Sequence, residues 1–190
     1  MTTTVKIKDK LFEPLVPAEE ISAAVDAIAS RINADYASKE PLFLCILNGS
    51  FMFAADLLRR IRVPCRVSFV KYASYAGTKS TQYIKNLVGL NEDVEAKDVI
   101  IVEDIVDTGL TMSHLLTELS EKKPATVRIA AFCFKKEAFQ ATFTIDYLGM
   151  EIPNAFVIGY GMDYEGYGRN LAEIYQISDN QYPTSNTSTC

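Results

Sequence analysis

The sequence predicts one α/β domain built on a mainly parallel β-sheet, and three observations support this fold class. Short apolar runs rich in β-branched and aromatic residues recur along the chain, as expected of strands that are buried on both faces. Segments with helical spacing of apolar residues separate these runs, and such alternation is typical of α/β folds. The chain has 190 residues, which is the length of one domain.

The elements can be taken in chain order. Residues 17–34 form the first predicted helix, because apolar residues recur at helical spacing and Pro17, Glu19 and Glu20 are helix-start signals. The other predicted helices are residues 51–60 and 110–122. The predicted strands are residues 42–47, 67–70, 99–102, 127–134 and 156–158. We expect residues 1–178 to form the domain and the polar residues 179–190 to form a disordered tail.

Composition and charge exclude several classes of protein. With 24 acidic and 19 basic residues the net charge is -5, which argues against a general nucleic-acid binder. A hydrophobic fraction of 48% excludes a largely disordered chain. No apolar run approaches the roughly 20 residues that span a bilayer, and no signal peptide opens the chain. The four cysteines and the single histidine lack zinc-site spacing, so we expect reduced thiols in a cytoplasmic protein.

Glycine and polar residues follow three of the predicted strands. They are the Asn-Gly-Ser segment at 48–50, the acidic segment at 103–111 and the Gly-Tyr-Gly-Met-Asp segment at 159–163. Ligands of parallel sheets bind beyond the carboxyl ends of the strands. The search for a functional site therefore begins with these three segments.

Residues 103–111 are the most informative segment. Two adjacent acids and a third acid precede a loop with Thr and Gly and then a helix, whose free N–H groups suit a phosphate. The acids would repel a phosphate unless they bind sugar hydroxyls or a divalent cation, and a phosphorylated ribose meets both conditions. A P-loop is excluded because no Lys follows the Gly. The alternative is that the three acids only cap the helix and face solvent.

Residues 102–111, VEDIVDTGLT, resemble the phosphoribosyl-pyrophosphate signature of the type I phosphoribosyltransferases, specifically the hypoxanthine-guanine branch. The resemblance extends from about residue 42 to about residue 177. It implies a mainly parallel sheet flanked by helices, with a small hood region and a mobile loop.

The resemblance also implies how the donor is bound. Glu103 and Asp104 would hold the ribose hydroxyls, partly through Mg²⁺, and residues 107–111 would cradle the 5'-phosphate. Asp107 would be the general base, and residues 47–49 a pyrophosphate loop that in the family often contains a non-proline cis peptide. The residues implied to bind phosphoribosyl pyrophosphate are Leu47, Asn48, Gly49, Ser74, Tyr75, Glu103, Asp104, Asp107, Thr108, Gly109, Leu110, Thr111 and Arg169. Among them, Ser74 and Tyr75 fall in the stretch that closes as a lid, and Arg169 would bind the pyrophosphate.

On the side of the base, the resemblance assigns four residues. Lys135 would donate to the 6-oxo oxygen of the purine, Phe156 would stack on it, and Val157 would contact it through its backbone. Asp163 would line the base site and bind a second Mg²⁺, so that Glu103, Asp104 and Asp163 form the metal set. Taken alone, Phe156 fits an apolar core and Lys135 a solvated pair with its neighbour.

The implied activity is purine salvage, in which ribose 5-phosphate passes from phosphoribosyl pyrophosphate to hypoxanthine and guanine. Mg²⁺ is the implied cofactor, a homodimer or homotetramer the implied assembly, and neither nucleic acid nor membrane is an expected partner. Two alternatives stay open: transfer to another base, such as xanthine or a pyrimidine, and a regulator that senses phosphoribosyl pyrophosphate. One departure is Asn48, where many members carry a basic residue.

Overall fold

The computed structural model describes residues 3–75, 83–90 and 92–178. Three helices and ten strands lie in this part of the chain. In chain order they are β1 (Val5–Ile7), β2 (Lys10–Val16), α1 (Ala18–Asp35), β3 (Leu42–Leu47), α2 (Phe51–Leu58), β4 (Arg66–Tyr75), β5 (Tyr83–Val88), β6 (Asp98–Val106), α3 (Leu110–Glu121), β7 (Thr126–Phe134), β8 (Tyr147–Glu151), β9 (Val157–Ile158) and β10 (Ile174–Ile177).

The strands form two sheets. The larger sheet has the order β5-β4-β3-β6-β7-β8, with parallel pairing throughout except between β4 and β5. This confirms the mainly parallel α/β fold. A second sheet, with the order β1-β2-β10-β9, is antiparallel and joins the two ends of the described chain.

The central strands are apolar without alternation because both of their faces are covered. On β3, Phe43 and Cys45 pack in the same cluster as buried residues of α1 and α2. Their neighbours Leu42 and Leu44 pack instead with buried residues of α3. Helices on both faces therefore account for the continuous apolar runs.

Three strand assignments need correction. The strand predicted at 99–102 continues to Val106, so Glu103 and Asp104 lie in the strand and only the third acid lies in the loop. Residues 157–158 pair with β10 in the antiparallel sheet, since a short apolar run does not reveal its partner. The strand at 67–70 has only one buried face, because Val67 and Phe69 are 39% and 45% exposed.

The predicted helices are confirmed, and no end differs from the prediction by more than two residues. By contrast, strands β1, β2, β5, β8 and β10 were not predicted. Within the described residues, no helix is both long enough and apolar enough to cross a bilayer.

Candidate active site

Three adjacent strands of the larger sheet end beside one another. The order β3-β6-β7 brings residues 47–49, residues 107–109 and Lys135 to the same edge, because parallel strands have their carboxyl ends together. The site predicted from separate segments of the chain is therefore one place in the fold.

The loop between β6 and α3 has the geometry of a phosphate cradle. Gly109 has a φ of 84°, and a Cβ there would lie 2.8 Å from the Cβ of Ala141 and 2.9 Å from the ring of Phe139. Glycine is required on both grounds. The loop and the first turn of α3 line a cavity of about 100 Å³, whose walls include Asp107, Thr108, Gly109, Leu110 and Thr111. The size and the free N–H groups of a helix start suit a phosphate.

Asp107 does not cap α3. The helix starts with Gly109 as its N-cap and has no side-chain cap hydrogen bond. Instead, Oδ2 of Asp107 accepts a hydrogen bond from Nζ of Lys135 at 3.0 Å. The Lys135 side chain is 9% exposed and that of Asp107 is 47% exposed, so the carboxylate holds a buried cation while facing the cavity. The capping interpretation of this acid is therefore wrong.

Glu103 and Asp104 form a carboxyl pair near the end of β6, in which Asp104 is buried and Glu103 is partly buried. Burial raises the pKa of both groups, and the charge of Asp104 raises that of Glu103 further. Within the described residues, Oε2 of Glu103 is buried without a hydrogen-bond partner. Such a pair is stabilised by a cation or by hydroxyl donors.

The loop at 47–49 lies close to both Asp104 and Gly161. The Leu47–Asn48 peptide bond is cis, as the resemblance implied. A Cβ on Gly49 would lie 1.8 Å from Oδ2 of Asp104, and a Cβ on Gly161 would lie 2.0 Å from the carbonyl oxygen of Gly49. A side chain on Gly161 would displace the loop backbone, and one on Gly49 would displace the carboxylate of Asp104.

The predicted base-binding residues line one cavity of about 240 Å³. Its walls are Asp104, Ile105, Asp107, Lys135, Phe156, Val157, Met162 and Asp163. Asp107 and Ile105 also line the smaller cavity, so the two cavities share this part of their walls. A carboxylate at that junction can contact both a phosphorylated sugar and a planar base.

Phe156 is part of an aromatic cluster rather than of the core. Its side chain is 46% exposed, with its ring centroid 6.3 Å from that of Phe12 and 5.9 Å from that of Tyr164. Tyr164 in turn donates to Asp9 at 3.0 Å. Phe12 and Tyr164 therefore pack against one side of the Phe156 ring, and the rest of the ring is exposed. The interpretation of Phe156 as a core residue is corrected.

Asp163 and Arg169 are paired with each other. Nη2 of Arg169 lies 2.5 Å from Oδ1 of Asp163, while Asp163 also accepts from the backbone N–H of Gly166 at 2.6 Å. No group of three or more His, Cys, Asp or Glu side chains in residues 3–75, 83–90 and 92–178 forms a metal cage. The three predicted metal residues thus do not converge by themselves.

Two predicted donor contacts are only partly described. Ser74 and Tyr75 end β4 and pair through their backbones with Ile84 and Tyr83 of β5, whereas their side chains lie outside the description. The mobile loop expected between the two strands also lies outside the described residues, as does the tail at 179–190.

Sequence reasoning missed the supporting residues Phe12, Tyr160 and Tyr164. Phe12 lies in a strand whose pairing partner is at the other end of the chain. Tyr160 did leave a signal, because it stands between two glycines, a pattern typical of unusual backbone conformation.

Comparisons with known proteins agree with this geometry. The family model for the phosphoribosyl transferase domain matches residues 15–165. The hypoxanthine-guanine phosphoribosyltransferase of Aquifex aeolicus is 39% identical, covering 92% of this chain and 99% of that protein. The hypoxanthine-guanine-xanthine phosphoribosyltransferase of Tritrichomonas foetus is 33% identical, covering 95% of this chain and 99% of that protein.

Among solved structures, a hypoxanthine phosphoribosyltransferase from Staphylococcus aureus superimposes with a TM-score of 0.84 at 33% identity, covering 90% of this chain and 94% of that one. The residues matched by the family model include all three strand ends of the site. The chain therefore belongs to the phosphoribosyl transferase domain family, in the branch of the hypoxanthine-guanine phosphoribosyltransferases.

Proposed function

We propose that the protein is a purine salvage enzyme that transfers ribose 5-phosphate from phosphoribosyl pyrophosphate to hypoxanthine and guanine, releasing pyrophosphate. The observation that carries the proposal is the position of Asp107. Asp107 lines both a phosphate-sized cavity and a larger cavity whose walls include Lys135 and Phe156. A sugar phosphate and a purine bound on the two sides would meet at this residue.

On the donor side, residues 107–111 would bind the 5'-phosphate through backbone N–H groups and the hydroxyls of Thr108 and Thr111. Glu103 and Asp104 would accept from the ribose hydroxyls. The pyrophosphate would lie against residues 47–49, with Arg169 beside it after release from Asp163. Ser74 and Tyr75 are proposed to close over the reacting groups. Holding both reactants aligned supplies much of the rate enhancement.

On the base side, Lys135 would donate to the 6-oxo oxygen, and it opposes a 6-amino group because an ammonium has no acceptor. Phe156 would stack on the ring, with Val157 and Asp163 at its edge. As C1 of the ribose separates from pyrophosphate and bonds to a ring nitrogen, that ring loses one proton. Asp107 is the proposed acceptor for it.

The residues present fit a magnesium ion. Oε2 of Glu103 is a buried carboxyl oxygen without a partner in the described residues, and carboxylate oxygen is the ligand that Mg²⁺ prefers. Glu103 and Asp104 would hold one such ion and Asp163 a second one, each together with waters and donor oxygens. When bound, the metal neutralises charge on the departing pyrophosphate.

The proposal also covers the cellular location, the assembly and the partners of the enzyme. We propose a cytoplasmic homodimer or homotetramer without nucleic-acid or membrane partners. The net charge of -5 argues against a general nucleic-acid binder. Size-exclusion chromatography with light scattering would measure the assembly, and a monomeric mass for the active enzyme would contradict it. A gel shift at moderate salt would detect the alternative regulator.

The decisive experiment is a spectrophotometric assay of hypoxanthine, guanine, xanthine and adenine with phosphoribosyl pyrophosphate and Mg²⁺. We expect turnover of hypoxanthine and guanine and very little of adenine. Comparable rates with adenine and hypoxanthine would contradict the role of Lys135. Turnover of xanthine alone would favour the alternative of another base as the acceptor.

Removal of the metal tests the cofactor. Chelation of divalent cations should abolish turnover, and added Mg²⁺ should restore it, because the leaving group needs its charge neutralised. Full turnover after exhaustive chelation would contradict this part of the proposal.

A further inference from the structure

Tyr160 has an unusual backbone for a non-glycine residue. Its φ is 46°, a left-handed conformation that L side chains rarely adopt and that is concentrated at functional sites. It follows β9, only 3% exposed, and its N–H donates to the carbonyl of Leu171 at 2.9 Å. The surrounding packing therefore holds this residue in place.

The side chain of Tyr160 reaches across to α2. Its ring packs on Phe132 of β7, with centroids 5.0 Å apart, and its hydroxyl donates to Oδ2 of Asp56 at 3.0 Å. Burial raises the pKa of Tyr160, so the hydroxyl stays a donor at neutral pH. Asp56 lies on α2, the helix that begins directly after residues 47–49 and Ser50.

The residue after Tyr160 touches the proposed pyrophosphate loop. A Cβ on Gly161 would lie 2.0 Å from the carbonyl oxygen of Gly49, so the two backbones are in direct contact. The carbonyl of Gly161 also accepts from Nη1 of Arg169 at 2.7 Å. A shift of Tyr160 would therefore move a contact of Gly49 and a contact of Arg169 together.

We propose that Tyr160 and Asp56 form a positioning pair that fixes residues 47–49 against Gly161 and Arg169, and so sets the affinity for the pyrophosphate group of the donor. The inference rests on the proposed function, since it assigns the pair to the donor half of that site. Neither side chain lines the two cavities, so the pair acts through the loop. It is linked to that loop from both sides, by α2 and by Gly161.

The chain offers a matched control in Tyr147. This tyrosine is fully buried and its hydroxyl donates to Oδ2 of Asp35 at 2.8 Å, but it begins β8 rather than lying at the site. Tyr147→Phe therefore removes the same Tyr–Asp hydrogen bond from a buried ring, together with the bond that the hydroxyl accepts from Nη1 of Arg128 at 2.8 Å. A merely structural role for Tyr160 would make the two Phe variants alike.

The test measures kcat and the KM values for phosphoribosyl pyrophosphate and for hypoxanthine in the full chain. We expect Tyr160→Phe to raise the donor KM about fivefold, the scale of one lost hydrogen bond, with the hypoxanthine KM unchanged. Asp56→Ala should match it, whereas Asp56→Asn keeps an acceptor and should stay within about twofold of the wild type. Tyr147→Phe should leave both KM values unchanged while lowering Tm.

The outcomes distinguish a failure of the positioning role from a failure of the proposed function. Equal donor KM values for the two Phe variants, with an active wild type, would overturn the positioning role alone. A wild type that shows no turnover would overturn the proposed function, and the positioning role with it. If Tyr160→Phe does not fold, the comparison of Asp56→Ala with Asp56→Asn decides. Equal donor KM values for those two would also overturn the positioning role.

Discussion

The two halves of the candidate site are built in different ways. The donor half is mostly one stretch of chain, in which β6 delivers Glu103 and Asp104 and the turn into α3 delivers Asp107 to Thr111. The base half takes Lys135 from the end of β7 and Phe156 and Asp163 from beside the second sheet. Phe156 is in turn supported by Phe12 near the amino terminus.

This difference separates the expected effects of substitution. Local backbone geometry holds residues 103–111 of the donor half, so their contacts survive as long as β6, the turn and α3 form. The base half depends on contacts between distant segments, such as that between β2 and β10. Changes in the base half should therefore affect the affinity for the base, and only a change at the junction should affect the chemical step.

The largest effect is expected at the junction. Asp107→Asn keeps the shape but removes the proton acceptor, and should lower the single-turnover rate about 10²-fold or more with saturating hypoxanthine. Donor affinity should change much less, because the amides and hydroxyls of residues 108–111 remain. Asp98→Asn, at the other end of β6, is the matched control. A wild-type rate for Asp107→Asn would contradict the role of general base.

A smaller effect is expected at Lys135. Lys135→Ala removes a charged donor to the 6-oxo oxygen and should raise the hypoxanthine KM roughly 10- to 100-fold, with the donor KM within about threefold of the wild type. The neighbouring Lys136 is exposed, so Lys136→Ala controls for the loss of charge. Equal increases in both KM values would contradict the division into halves.

Phe156 should show a smaller effect again. Phe156→Leu keeps an apolar side chain but removes the aromatic face, and should raise the hypoxanthine KM about fivefold, the lower end of the scale for stacking on a base. Phe69→Leu is the control, because Phe69 is 45% exposed and Phe156 is 46% exposed. An unchanged KM would show that Phe156 is not a platform for the base.

The smallest effect is expected from alkylation of the cysteine thiols. Cys45 and Cys133 are buried, and Cys65 is exposed. Burial raises the pKa of Cys45 to about 12 and also raises that of Cys133, so neither forms appreciable thiolate at pH 8. Among the three cysteines in the described residues, the exposed Cys65 should react with iodoacetamide first, without loss of activity, since it precedes β4 at the opposite end of the strand from the site. Peptide mass spectrometry would measure the order. Rapid labelling of Cys45 would show that the core under the donor half opens.

Much of the donor half could be predicted because its chemistry is local. The order of acids, Thr and Gly in residues 103–111 stands in the chain as it stands in the site, and β3 has the predicted bounds Leu42–Leu47. The extension of β6 through Glu103 and Asp104 was missed. Acidic residues are rare in buried strands because a buried charge needs compensating partners. Those partners belong to the assembled site and are not visible in the local sequence.

The sequence by itself determined the α/β class, the order of the main elements and the segment that would hold a sugar phosphate, because these depend on periodicity and on adjacent residues. The tertiary structure decided which distant residues meet. It placed Phe12 behind Phe156, Lys135 against Asp107 and Gly161 against Gly49. Such contacts join segments whose separate patterns carry no signal of one another, since burial and close packing are properties of the assembled core.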